Sequence, residues 1–589
     1  MKTMKKYILL GFACAFALFA TSCNQELLDI PQKGVVAYED FYQTDDDAES
    51  ALVTAYAGAI GIFSASGSNS PAYNAYMNAP GDELYWGGSN KNDNAPAQEI
   101  NEFRNTFTNN NTYITSTYKA FYALIYRCNL VLENFYGENG ELADSPVKKR
   151  CVAEARVLRA WAHMQLASFF GTPPLVDHVL AGNERPTNSN KDELWQFIID
   201  DFKLAIPDLQ SRNGKGDKNG AIHVTQGAAY ALLGKAQVLY GKYADAKESL
   251  KKVIDSGNYD LVPGSKMGEL FHGKGDGNEE KVFELNYKDH TVFGKNGRWY
   301  FQRNNSLFFR QMKAYPTQYL QRDGWGNNMG PTKKFVDAML ENEPDSYRRK
   351  AWLCSYDEWL TEQNYGALDL KSDGTPKTKE EKLMDPDRGL NFQKRPELYA
   401  NYGWFFIKFA ALSEDLVENS TDNTDQNMII IRYAEVLLLY AEACAQTGET
   451  GGDGLAALNK VAARAGAPTY DALNMANVKK EKWFELAWEG TRFVDLVRWG
   501  DAATELAFKG KTEVPYLFDD FYEYNTAGGV TTGRPHKAVI IWKDDGWAAA
   551  GSGFVPGKHE LYPFPFSVLE LNPWNEERQE GLKQNPGWE

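Results

Sequence analysis

Glu485 and Glu489 stand four residues apart, so a helix would carry both carboxylates on one face, a pairing from which acid–base chemistry on a glycosidic bond can be built. Their surroundings point elsewhere. In the stretch E-K-W-F-E-L-A-W-E-G-T-R-F-V-D-L-V-R-W over 481–499, Arg492 follows Glu489 and Arg498 follows Asp495 by three residues. That spacing predicts intrahelical ion pairs on an otherwise apolar helix. Carboxylates held in such pairs are perturbed without doing chemistry, so the pair reads as structural. Other catalytic signatures fail on spacing. Gly510-Lys511-Thr512 resembles part of a phosphate loop, but Glu505 stands where the first glycine is needed. Gly273, Gly275 and Gly277 form a turn without a strand–helix context, and neither H-E-x-x-H nor G-x-S-x-G occurs. His163 lies inside an aromatic helical stretch and reads as a core imidazole. Asp422, Asn423, Asp425 and Asn427 collect oxygen donors, but their spacing fits no EF-hand, so they read as a solvated loop. The cysteines include no C-x-x-C, which argues against a redox pair or a thiolate zinc site. Cys128, Cys151, Cys354 and Cys444 are expected as buried thiols. No enzyme, metal or cofactor is indicated.

The elements that would position any site are mostly helical. Of 589 residues, 43% are hydrophobic and 24% charged, the composition of a folded chain. The 79 acidic against 63 basic residues leave a net charge of −16, which argues against nucleic acid as a partner. Thr44 reads as an N-cap, with Asp45, Asp46 and Asp47 in the first turn of a helix running towards Ile62. Residues 64–115 form a long irregular excursion. Helical periodicity follows at Tyr118–Phe135, Val147–Phe170 and Lys191–Leu209. Tyr230-x-x-Leu233-Gly234 with Ala246-x-x-x-Leu250-x-x-Val253 fits the tetratricopeptide template, in which Gly234 and Ala246 let two antiparallel helices approach. A second copy reads Leu437-x-x-Tyr440-Ala441-x-x-Cys444, followed by Leu455–Arg464. Periodicity returns once more at Val478–Trp499. The expected fold is all-α dominated: a tetratricopeptide-like superhelix of helical pairs, with a large loop-rich insertion and few short strands. Its parts are expected at 41–260 (N-terminal helical part), 261–426 (insertion), 427–500 (further helical pairs) and 501–589 (an irregular C-terminal part packed on the scaffold).

The N-terminus carries an address. Lys2, Lys5 and Lys6 precede the apolar run Tyr7–Ala20, too short to span a bilayer and of signal-peptide length. Ala20-Thr21-Ser22-Cys23 resembles a bacterial lipoprotein box. Residues 1–22 are therefore expected as a signal peptide, Cys23 as the lipidated residue and 23–40 as a tether. The most apolar later stretch, Met428–Ala445, contains Arg432, Glu435 and Glu442 and is too polar for a lipid-facing helix.

The 481–499 stretch also resembles the E-R-x-x-E-L-x-x-E-G-x-R-x-x-D-L-x-R-W-G signature of SusD/RagB-family lipoproteins. Glu481, Glu485, Leu486, Glu489, Gly490, Arg492, Asp495, Leu496, Arg498, Trp499 and Gly500 match, and Lys482 replaces Arg. Tyr118–Asn134 is similar to the family's Y-R-A-N-x-x-L segment, with Cys128 for Ala. Glu154–Val176 is similar to E-A-x-x-L-R-A … Y-G-x-x-P-L-V, with Phe170 for Tyr. Arg432–Ala443 fits a further segment. Leu561-x-Pro563-x-Pro565 and Gln584-Asn585-Pro586-Gly587 resemble the terminal pattern, with Trp588 where Tyr is common. The resemblance implies four tetratricopeptide-like helical pairs and a lipid anchor on the extracellular face of a Bacteroidetes-type outer membrane. It implies capture of oligosaccharide, no catalysis, and service as a hinged lid on a SusC-like TonB-dependent barrel.

A sugar ring offers an apolar C–H face and a rim of hydroxyls, and a matching site offers flat rings edged by polar groups. Two stretches carry that chemistry, and the resemblance implies that both build the site. One is 81–88, with Asp82, Tyr85 and Trp86. The other covers 298–300 and 322–328, with Trp299, Tyr300, Arg322, Trp325 and Asn328. Trp86, Trp299 and Trp325 are expected as stacking platforms, Tyr85 and Tyr300 as platforms with a hydroxyl, and Asp82, Arg322 and Asn328 as the hydroxyl rim. The opposing expectation is that such rings pin loops to the core. Three other functions stay open: a glycoside hydrolase, an assembly scaffold for the barrel without sugar affinity, and a peptide-binding homologue.

Overall fold

The computed structural model describes residues 41–64, 72–86, 94–135, 145–286, 312–314, 329–362, 364–383, 385, 389–390, 392–393, 404–409, 426–511, 514–518, 521–525, 532–535, 539–543 and 551–589. Cys23, Trp299, Tyr300, Arg322, Trp325 and Asn328 lie outside the described residues, as do the signal peptide and tether. The chain divides into two units, residues 1–47 and 48–589.

In the first unit, Thr44 Oγ1 accepts the Asp47 N–H at 3.1 Å while Asp47 Oδ2 accepts the Thr44 N–H at 2.8 Å. This reciprocal cap starts helix α1, Asp45–Ser64, with three aspartates in its first turn.

The second unit is helix-dominated, as expected. The 64–115 excursion contains short helices, α2 (Ala72–Asn78) and α3 (Ala95–Glu102), and the next helix starts earlier than the periodicity indicates: α4 is Thr112–Phe135. Then come α5 (Pro146–Phe170), α6 (Lys191–Ala205), α7 (Gln226–Tyr240) and α8 (Tyr243–Asp255). His163 on α5 is fully buried. Its Nδ1 lies 3.1 Å from Arg159 O and its Nε2 accepts the Val176 N–H, and burial pushes its pKa down to about 4. A neutral core imidazole is what remains.

α7 and α8 form the first tetratricopeptide-like pair. They turn at Gly241, φ +84°, and a Cβ on Gly234 would overlap Leu250, so a hydrogen side chain permits the approach. The second pair is α9 (Tyr433–Gln446) with α10 (Gly452–Ala465). Here Gly454 does the same, with a Cβ at 2.6 Å from Cys444 Cβ. The two pairs are distant in sequence but bonded in space. Lys251 reaches Asp453 at 3.1 Å, and Lys235 reaches Glu435 at 2.7 Å. The intervening chain leaves along strand Lys281–Leu285 and returns along Met428–Arg432, and these two strands pair antiparallel, Leu285 opposite Met428.

The 478–499 periodicity covers two helices rather than one, α11 (Met475–Glu485) and α12 (Arg492–Trp499). Between them Trp488 adopts φ +63° and Gly490 φ +77°. The Gly490 N–H donates to Asn78 Oδ1 at 2.8 Å, and a Cβ there would press on Met77. Contact with α2 therefore outweighs the helical preference of this stretch.

The C-terminal part is stitched into the core. Tyr562 Oη donates to Tyr76 O at 2.7 Å, and the Tyr562 ring stacks on Phe169 at 5.3 Å. Trp588 Nε1 donates to Lys558 O and Leu561 O. Strands Val514–Phe518 and Val539–Lys543 pair antiparallel, which absorbs the apolar run at 538–542. Cys128, Cys151, Cys354 and Cys444 are buried thiols. No helix among the described residues is long and apolar enough to cross a membrane.

Candidate functional site

The Glu485–Glu489 pair sits in an ionic cluster closed to chemistry. Arg432, fully buried, donates from Nη1 to Glu485 Oε1 and Glu280 Oε1 at 2.7 Å each, and from Nε and Nη2 to Glu489 at 2.7 and 2.6 Å. Arg348 bonds Glu485 at 2.9 Å and Glu481 at 2.6 Å. Arg464 bonds Glu280 at 2.7 Å and also Glu485. Lys408 reaches Glu489 at 2.6 Å. Burial alone would raise the Glu485 pKa, but Arg464, Arg432 and Arg348 outweigh it and hold the carboxyl at about 2. A carboxylate that stays ionised, with both oxygens occupied, has no proton to give. The structural role expected from the sequence is what the geometry shows, through different partners. Arg498 does pair with Asp495, at 2.7 Å, but Arg492 does not meet Glu489, because the break between α11 and α12 turns it away. Arg492 binds Asp82 instead, from Nε at 2.8 Å and Nη2 at 2.9 Å.

That bond anchors the first of the two stretches chosen for sugar chemistry. Strand β1, Leu84–Trp86, pairs antiparallel with strand β2, Met329–Pro331: Leu84 opposite Pro331, Tyr85 opposite Gly330, Trp86 opposite Met329. Asp82 also takes Lys334 Nζ at 2.7 Å. Burial works to raise its pKa, yet Arg492 and Lys334 hold the carboxyl down at about 2. Thr332 Oγ1 donates to Asp82 O at 2.6 Å. Glu83 Oε1 accepts the Trp488 N–H at 2.6 Å, and Glu83 O accepts Trp488 Nε1 at 3.0 Å. Burial pushes the Glu83 carboxyl up to about 8, so it is largely protonated at neutral pH. Among the described residues neither Glu83 Oε2 nor Trp86 Nε1 has a hydrogen-bond partner.

These contacts correct three expectations. Trp86 is 0% exposed and Tyr85 2%, so neither offers an open ring face to a sugar. Asp82 is 0% exposed and committed to two cations, so it is a pin and not a hydroxyl rim. The reason is that the β1–β2 ladder is covered on both sides, and large rings there bury. What the ladder does achieve is juxtaposition. The chain leaves Trp86 into 87–93 at the same end of the ladder where it arrives at Met329 from 315–328. The first stretch is thereby paired with the residues that directly follow 322–328, while 298–300 lies outside the described residues.

A second concave feature was not legible. A narrow cleft is bordered by Phe63, Tyr73, Trp161, Gln165, Trp488 and Glu489. The rings named come from four places in the chain, α1, α2, α5 and the break between α11 and α12. No local spacing signals such an assembly.

Family models match this chain in two places. One, described as the SusD family, covers residues 279–588, and another, described as starch-binding associating with outer membrane, covers 66–237. A SusD-like protein of Bacteroides ovatus is 24% identical over 528 residues, 85% of this chain and 83% of that one. Two solved structures share the fold with a TM-score of 0.66 each. A laminarin-binding SusD-like protein is 22% identical, the match covering 93% of this chain and 100% of that one. Surface glycan-binding protein A from Bacteroides thetaiotaomicron, in complex with laminarihexaose, is 21% identical, covering 92% and 100%. With more than half of its length matched by one family model, and the helical architecture matched by those structures, the chain belongs to the SusD family.

Proposed function

We propose that this protein is a surface glycan-binding lipoprotein of the outer membrane that captures oligosaccharide without altering it and delivers it, as a lid, to a SusC-like TonB-dependent barrel. The observation that carries the reading is membership of a family whose solved relatives include laminarin and laminarihexaose binders, together with the β1–β2 ladder, which pairs 84–86 with 329–331, the residues that directly follow 322–328. Trp299, Trp325 and Tyr300 stack on the C–H faces of the sugar, while Arg322 and Asn328 bond its hydroxyls. Asp82, Tyr85 and Trp86 form the floor that holds this end of the ladder. Binding comes from ring contact and hydrogen bonds, and the saturated Glu485–Arg432 cluster takes no part in it.

Lipidation at Cys23 places the protein on the membrane. One lipidated residue gives modest anchoring, and the barrel supplies the rest.

Burial of Trp86 and Tyr85 favours one rival, an assembly scaffold with no sugar affinity. Affinity electrophoresis through gels containing laminarin, starch or other polysaccharides separates the two. Retention by at least one polymer, reduced by Trp299→Ala or Trp325→Ala, supports capture. Migration unaffected by every polymer, together with co-purification of a barrel, supports the scaffold instead.

A further inference from the structure

Glu154 on α5 is a buried carboxylate on which three parts of the chain converge. Tyr56, on α1, donates its Oη–H to Glu154 Oε2. Arg150, one turn earlier on α5, donates from Nη1 to Glu154 Oε1 at 2.5 Å and from Nη2 to Glu49 on α1. The third part is the chain that enters α7. There the Val224 N–H donates to the same Tyr56 Oη at 2.9 Å, and His223 Nδ1 lies 3.9 Å from Glu154 Oε2. The His223 ring meets the Tyr56 ring edge-on, with 6.4 Å between centroids and 83° between planes. Next along, Thr225 Oγ1 accepts the Ala228 N–H at 3.3 Å and so caps α7. What holds 223–225 therefore sets where the first tetratricopeptide-like pair begins.

The groups that face one another here do not balance in charge. α1 brings Glu49 and Tyr56, α5 brings Arg150 and Glu154, and the loop before residue 219 brings Asp217 to the same polar cleft. Asp217 is committed to backbone, accepting the Asn213 N–H at 2.9 Å and the Gly220 N–H at 3.0 Å. Burial and the Glu154 charge push the Tyr56 pKa well above its ordinary value, so Tyr56 keeps its proton and remains a donor. Burial works to raise the Glu154 pKa, but His223, Tyr56 and Arg150 hold it below the usual carboxylate range. Glu49 and Glu154 share one guanidinium, which leaves one negative charge in excess while His223 is neutral. A proton on His223 cancels it.

The imidazole can take that proton without any opening of the fold. Its side chain lines the cleft and is 58% exposed, whereas the Glu154 side chain is 2% exposed. Interaction with Glu154 raises the His223 pKa above the ordinary histidine value, against an opposing effect of burial. A folded-state pKa above the unfolded value contributes stability that is fully present below pH 6.5 and is lost as pH rises through the folded value.

We propose that His223 is a proton-operated latch: protonated, it pairs with Glu154 and fastens the chain entering α7 onto α5 and α1; neutral, it leaves the Val224–Tyr56 bond to do so. The latch acts on the scaffold and is independent of what the protein binds.

Hydrogen exchange read by mass spectrometry on the purified protein, corrected for the intrinsic pH dependence of exchange, measures the protection of peptides covering 219–225. In the wild type that protection is about threefold greater at pH 5.5 than at pH 8, the worth of a half-exposed ion pair. His223→Gln keeps a neutral polar side chain on the cleft and removes the titration, so its protection is the same at both pH values. Peptides of α11 show no difference between the two proteins. The histidine Cε1–H resonance that disappears in His223→Gln titrates in the wild type with a midpoint above 6.5. Protection of 219–225 that depends on pH equally in both proteins overturns the proposal, as does a His223 midpoint at or below 6.5. Wild-type protection that is equal at pH 5.5 and pH 8 overturns it without recourse to any variant.

Discussion

The ionic cluster around Arg432 and the base of the β1–β2 ladder both bind residues of one continuous stretch, 481–499, and they use charge in opposite ways. In the cluster the carboxylates Glu280, Glu485 and Glu489 face guanidinium or ammonium groups inside the protein, and nothing is left over for a ligand. At the ladder, Arg492 and Lys334 neutralise Asp82, but Glu83 is kept protonated by burial and Lys509 bonds only neutral oxygens. The first arrangement locks a scaffold. The second fixes one loop, 79–84, at the start of a ladder whose other strand follows the ring-bearing stretch 315–328.

Breaking the cluster is expected to give the largest effect. Arg432→Leu leaves three buried carboxylates without their shared partner and should destabilise by about 3–5 kcal/mol, read from urea unfolding. A loss under about 1 kcal/mol would mean that Arg464, Arg348 and Lys408 suffice. Next comes the helix approach that carries both regions. Gly234→Ala presses a methyl onto Leu250 and should destabilise by about 1–3 kcal/mol, with no selective effect on glycan retention. Trp325→Ala should do the reverse: no change in the unfolding midpoint and about a tenfold loss of affinity, worth about 1.4 kcal/mol.

The pH dependence sharpens the contrast with a smaller effect. Glu485 and Asp82 are both held at about 2, below their unfolded values, so they contribute stability above pH 4.5 that is lost as pH falls towards 2. Glu83 works with the opposite sign. Held at about 8, it keeps its proton in the folded state where the unfolded chain has lost it, so it makes stability decline as pH rises from 4.5 to 8. Glu83→Gln should therefore gain on the wild type progressively across that range. A constant difference between the two unfolding curves from pH 5 to 8 would show that Glu83 is ionised throughout.

Much of the scaffold was legible. The Thr44–Asp47 cap, the close approach at Gly234, the core imidazole of His163 and the helical pairs on either side of the insertion all follow from local residue types and spacing. Local spacing misled where a distant partner intervened. Residues 486–491 continue a helical pattern, but Asn78 takes the Gly490 N–H and Glu83 takes the Trp488 N–H, and the helix breaks. The same intervention redirected Arg492 from Glu489 to Asp82. Trp86, Tyr85 and Asp82 were chosen for chemistry that suits a sugar, and they are buried among residues hundreds of positions away, Arg492 and Lys334 on Asp82, Trp488 and Lys509 on the backbone of 83–84.

The sequence by itself determined the helical pairs, the acidic cap, the absence of the catalytic spacings tested and the family signature, because each depends on neighbours within one or two helical turns. Only the tertiary structure decided which carboxylates meet which cations, which rings face inward, and that Lys509 reaches the base of β1. Those outcomes depend on contacts between residues hundreds of positions apart, where burial makes each hydrogen bond and charge obligatory and no local pattern records the partner.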